Sequence, residues 1–301
     1  MTEGHTRETL SDRRGNRAGI AFFRIFLKVF GVKHACNMVW FVTLFYALFD
    51  REARKRARSY LALRFPRSGR VRMFFHIWRL LASQGEALVL AAAYGEGMGD
   101  SIPRRQEGAL SPEALDTSHG VVLVISHFGC WQASLAELAG YERSVSLLAA
   151  SEVNPAAVRK QEALHSRKTR FREIDVRGFM GGLPAALEAV QSGDVLGVMG
   201  DRTGTAGAGE LLECSFLGAP AKFPVTPFYV AARAGVVAVP VFMVWERRPF
   251  HVRVIFGENI VPEAIPEGRI RAERLRPAVE QYVHLLEKMA ERYPYLCFRF
   301  E

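Results

Sequence analysis

His127 and Gln132, inside the stretch VVLVISHFGCWQASLAEL from Val121 to Leu138, stand out as a proton-transfer pair in the making. A histidine where a buried strand ends, followed five positions later by a carboxylate on the next helix, is a base unit suited to acyl transfer. One imidazole nitrogen takes a proton from an acceptor hydroxyl or amine. The other needs a hydrogen-bond acceptor that fixes the tautomer and steadies the imidazolium. A carboxylate one turn into the helix meets both needs, yet that position holds Gln132. A histidine merely satisfied at a strand end explains SHFGCWQ equally well. Cys130 is a further candidate nucleophile, but no orienting partner stands at a known spacing.

The elements around the pair follow from apolar patterning. Val121–Ile125 reads as a strand that breaks at Ser126-His127, with a helix starting near Trp131. Further strands are expected at 194–200, 236–245 and 251–257, and helices near 182–191 and 224–233. A last helix over 271–291 keeps Leu275, Val279, Tyr282, Leu286 and Met289 near one face. Alternating strands and helices imply an α/β fold: a central mixed, largely parallel sheet flanked by helices. Ligands of such sheets sit beyond the carboxyl ends of the strands, where His127 falls.

Before this lies a different composition. Ile20–Phe49 is apolar and aromatic, interrupted by Arg24, Lys28, Lys33 and His34, and its uncharged run, Ala35–Phe49, is short of the about 20 residues a spanning helix wants. Arg51–Arg72 then carries nine basic residues and one acid. An aromatic apolar segment beside an arginine cluster reads as a contact with anionic lipid at the cytoplasmic side. A buried helical hairpin with a solvated basic face is the alternative. The chain divides on this reading into a polar tail (1–18), membrane-associating helices (19–75) and an α/β domain (76–301). The first residues are too polar and mixed in charge for a secretory signal.

With 301 residues, 49% of them hydrophobic and 24% charged, a large core is available and global disorder is excluded. The net charge of +9 favours an anionic partner: nucleic acid, anionic membrane or an acidic carrier protein. Helix-turn-helix, zinc-finger and RNA-binding signatures are absent, so nucleic-acid binding would rest on charge alone. The four cysteines stand far apart, with no metal-ligand spacing. GEGMGD (95–100) lacks the third glycine of a dinucleotide fingerprint. GTAGAGE (204–210) lacks the Lys-Ser/Thr of a P-loop and reads as a loop or lid.

SHFGCWQASLAEL resembles the HX4D/E block of the lysophospholipid acyltransferase superfamily, in the branch of late acyltransferases of lipid A biosynthesis. GDVLGVMGDRTG (193–204), FLGAPAKFPVTPFYVAARAGVVAVPVFMVWERR (216–248), RKTRFREIDVRG (167–178) and YPYLCFRF (293–300) extend the likeness in the right order over nearly the whole chain after Gly19. The resemblance implies a glycerolipid acyltransferase-like fold with N-terminal membrane helices, at the cytoplasmic face of a bacterial inner membrane. His127 would be the general base. The donor would be a thioester of acyl carrier protein or coenzyme A, the acceptor a lipid or glycolipid. Arg170, Arg177, Asp201 and Arg202 would bind the anionic acceptor or place the thioester. No cofactor, metal or covalent enzyme intermediate is implied.

Gln132 departs from the family's Glu or Asp. Neutralising the acid of a serine-protease triad costs about 10⁴ in turnover, so a loss of roughly two to four orders of magnitude is expected here. Three accounts stand open: glutamine serving a weaker but adequate base, another acid such as Glu137 or Asp201 in its place, or an engineered or degenerate change. A catalytically impaired lipid- or carrier-binding homologue is the rival reading.

Overall fold

The computed structural model describes residues 17–108, 110, 120–131, 143–149, 171–201, 210–265 and 271–298. Three helices open the chain: α1 (Arg17–Phe49), α2 (Arg51–Arg64) and α3 (Arg70–Gly95). Asp50 ends the first and starts the second, its Oδ1 capping the Ala53 N–H at 2.9 Å. Gly31, at φ 76°, kinks α1. From there α1 and α3 run antiparallel. Lys28 pairs with Glu96, and the Trp78 indole N–H donates to the Trp40 carbonyl at 3.0 Å. A Cβ on Gly85 would strike Val39, so only glycine lets the two helices approach this closely.

The body is a seven-stranded sheet in the order β1-β9-β8-β2-β5-β3-β4. Its strands are β1 (Arg104–Glu107), β2 (Val121–Gly129), β3 (Val145–Ala149), β4 (Phe171–Asp175), β5 (Val195–Met199), β8 (Ala238–Arg247) and β9 (Phe250–Phe256). All neighbours pair parallel except β8 with β9. The expected mixed, largely parallel sheet is therefore present. Val121–Ile125 is buried throughout, the continuous apolar run of a strand covered on both faces. Helices α4 (Leu183–Gln191), α5 (Thr226–Ala234) and α6 (Arg276–Arg292) flank it. All five residues expected on the buried face of the last helix are buried. That helix starts later than its pattern predicts, because Ala272–Leu275 forms a 3₁₀ turn ahead of Pro277.

A hairpin the pattern did not predict, β6 (Leu211–Phe216) with β7 (Ala219–Pro224), forms a separate two-stranded sheet. Leu212, Cys214 and Phe216 face inward while the residues between them are exposed, the period of two expected of a one-sided strand.

Glu86, buried inside α3, ties the helices to the sheet. Its carboxylate accepts from the Trp40 indole at 2.7 Å, from the Trp245 indole at 2.9 Å, and pairs with Arg247 at the end of β8. Burial lowers the Arg247 guanidinium's pKa from its ordinary value. Glu86→Ala removes the acceptor from three donors at once. A loss of about 3–5 kcal/mol is expected, read as a lower denaturation midpoint than that of the wild-type chain.

Candidate active site

Parallel pairing aligns the strand ends. Ile125 of β2 lies level with Met199 of β5, and Asp175 of β4 with Ala149 of β3. His127 sits two residues past Ile125, at the carboxyl edge. There β2 is irregular: Ile125 pairs with Val241 but Gly129 with Met243, so β2 takes four steps where β8 takes two. A bulge of this kind re-aims side chains and frees one to face a ligand.

The bulge is held on both sides. The Phe298 N–H donates to the His127 carbonyl at 2.9 Å, and the Gly129 N–H to the Leu296 carbonyl at 2.7 Å. Gly129 has φ 59°, and a Cβ there would overlap the Met243 carbonyl oxygen. Gly129→Ala therefore has no space and a backbone conformation alanine disfavours. It is expected to abolish the folded, soluble protein or cost more than about 3 kcal/mol, measured by chemical denaturation.

Asp201 follows β5 directly. Gly200 makes this turn possible, since a Cβ there would strike Val124 and the Tyr282 ring. The Asp201 carboxylate is 2% exposed and both oxygens meet His127: Oδ2 accepts the main-chain N–H at 2.7 Å and Oδ1 accepts from the ring Nδ1 at 3.0 Å. The imidazole keeps 18% of its surface open. With Nδ1–H donated to Asp201, the lone pair resides on Nε2, the tautomer that takes a proton. Trp131 packs edge-on at 6.0 Å between ring centroids.

The other sequence candidates fall as follows. Gln132, Glu137, Arg170 and Arg202 lie outside the described residues. Arg177 is exposed in the turn after β4, its N–H bound to Asp175 Oδ1 at 2.9 Å. Three strand spacings separate β4 from β2, about 14 Å, so Arg177 shares the edge with His127 without touching it. Cys130 is fully buried and presents no nucleophile at the surface. Among the described residues no group of three or more His, Cys, Asp or Glu is placed to hold a metal.

An imidazole hydrogen-bonded to a buried carboxylate at the edge of an α/β sheet is an arrangement able to take a proton from an acceptor in group transfer. Residues 12–263 match the model of the bacterial lipid A biosynthesis acyltransferases, and the chain belongs to that family. It is an acyltransferase acting on lipid-like substrates. Among solved structures it is similar to the 1-acyl-sn-glycerophosphate (LPA) acyltransferase PlsC from Thermotoga maritima. That match has 15% identity and a TM-score of 0.37, and it covers 85% of this chain and 98% of that one. No curated protein matches.

Proposed function

We propose that the chain moves a fatty acyl group from an acyl carrier protein thioester, or coenzyme A, to a hydroxyl or amine of a lipid or glycolipid acceptor. The reaction takes place at the cytoplasmic face of a bacterial inner membrane. The His127–Asp201 pair carries the reading. Nε2 of His127 takes the acceptor's proton as its oxygen or nitrogen attacks the thioester carbonyl. The tetrahedral intermediate collapses, the carbon–sulfur bond breaks, and the imidazolium returns the proton to the departing thiolate. Asp201 holds the ring and offsets its charge, so the acid need not come from residue 132. Arg170, Arg177 and Arg202 meet the acceptor's anionic groups; Arg177, in the turn after β4, stands about three strand spacings from β2, a distance that a glycolipid spans.

The helices of residues 19–75 supply membrane contact. Phe23–Phe49 of α1 is long and apolar enough to cross a bilayer by length and composition. Three features favour lying in the interface instead: the Gly31 kink, the pairing of Arg24 and Lys28 with Glu96, and the buried face formed by Leu27, Ala35, Val39 and Ala47. Phe41, Phe45, Phe49 and Phe75 stay exposed beside the arginines of α2, a pairing suited to anionic lipid. The test is purified protein with labelled acyl carrier protein or coenzyme A thioester and bacterial lipid extract. Transfer to a lipid is expected. Binding of lipid or carrier with no turnover from either donor would favour the catalytically impaired reading that Gln132 raises.

A further inference from the structure

Among the described residues beyond the first three helices, the most exposed large apolar side chain is Phe179, 81% exposed, and Met180 beside it is 59% exposed. Both lie in the turn that follows β4. The turn is tight: Met180, Gly181 and Gly182 have φ of 50°, 70° and 74°, and a Cβ on Gly182 would press on Asp175, Ile174 and Leu148. Met180, itself exposed and next to exposed Phe179, is a non-glycine residue held in the left-handed region, a backbone strain that tends to cluster at functional surfaces. Arg177, two residues ahead of Phe179, is exposed beside it.

The position of this turn is the informative fact. The strand β4 is parallel to β3, β5, β2 and β8, so the turn lies at the same carboxyl edge as His127. The helix α1 reaches that edge too, because Trp40 shares Glu86 with Arg247 at the end of β8. Four strand spacings, about 19 Å, separate β8 from β4, and β2 lies between them. Two apolar, arginine-flanked features thus bracket the catalytic strand on one edge.

We propose, resting on the membrane reading above, that Phe179 and Met180 form a second bilayer contact. Their side chains enter the acyl region of an anionic membrane while neighbouring Arg177 meets its phosphates. Contact at both ends of the edge sets the sheet's carboxyl edge face-down, with His127 at headgroup depth where a lipid acceptor's hydroxyl or amine resides.

The four native cysteines are buried, so a cysteine introduced at the surface can be labelled selectively. Full-length Phe179→Cys is labelled with an environment-sensitive fluorophore and mixed with phosphatidylethanolamine–phosphatidylglycerol vesicles. Val261→Cys is the control: Val261 is 74% exposed next to Ile260, which pairs with the start of β8 at the opposite edge. The label at 179 is expected to shift to the blue and be quenched by doxyl-labelled lipid, the label at 261 to do neither. Phe179→Asp with Met180→Asp is expected to weaken vesicle binding by about tenfold with unchanged circular dichroism. If wild-type protein floats with vesicles while the label at 179 is silent and the double variant binds normally, the proposal is wrong. A response at 179 to acyl carrier protein alone would overturn it in favour of a protein-docking turn. If wild-type protein ignores vesicles, the membrane reading itself fails and takes this contact with it.

Discussion

His127→Ala is expected to slow acyl transfer by about 10³–10⁴-fold, because the acceptor then has no group positioned to take its proton. The fold should not change. The ring is partly open, and the bulge is held by main-chain bonds from Leu296, Phe298 and Met243 that the substitution leaves in place. Circular dichroism and vesicle binding should match wild type while the rate collapses. Wild-type turnover in this variant would remove the base assignment and leave the Asp201 contact a structural one.

Asp201→Asn is expected to cost about 10²–10⁴-fold in rate. The amide oxygen can still accept one of the two bonds from His127, but the negative charge facing the imidazolium is lost, and a flipped amide would favour the wrong tautomer. The loss should fall on the rate of the chemical step rather than on acceptor affinity, which separates an orienting role from acceptor binding. Gln132→Glu is expected to change the rate by less than about tenfold, since Nδ1–H already has a carboxylate. A large gain from that substitution would return the acid to position 132.

Part of the sheet was legible because Val121–Ile125 and the core of β8 read directly as buried runs, whereas the five-residue strands β3 and β4 were not expected. The strand β1, Arg104–Glu107, carries no such signal, being four polar residues at a sheet edge held by main-chain pairing to β9. β7 escaped because prolines and a lysine dilute its alternation. In the site, His127 announced itself by its place after a strand. Asp201 could be named only as one possible acid, because 74 residues separate it from His127 and nothing but strand pairing between β2 and β5 closes that distance. Its signal was the same as that of His127: a polar residue one or two positions past a buried parallel strand. Glu86 was missed although a lone carboxylate within the apolar run GEALVL is a residue that needs partners if buried. Those partners, Trp40, Trp245 and Arg247, lie on other elements and cannot be read locally.

The most direct measurement is the acyl-transfer rate of the His127→Ala, Asp201→Asn double variant beside each single one. Groups acting as one unit lose their effect together, so the double variant should be no slower than His127→Ala, within about threefold. Losses that multiply would mean that Asp201 serves the reaction independently of the imidazole, contradicting the pair.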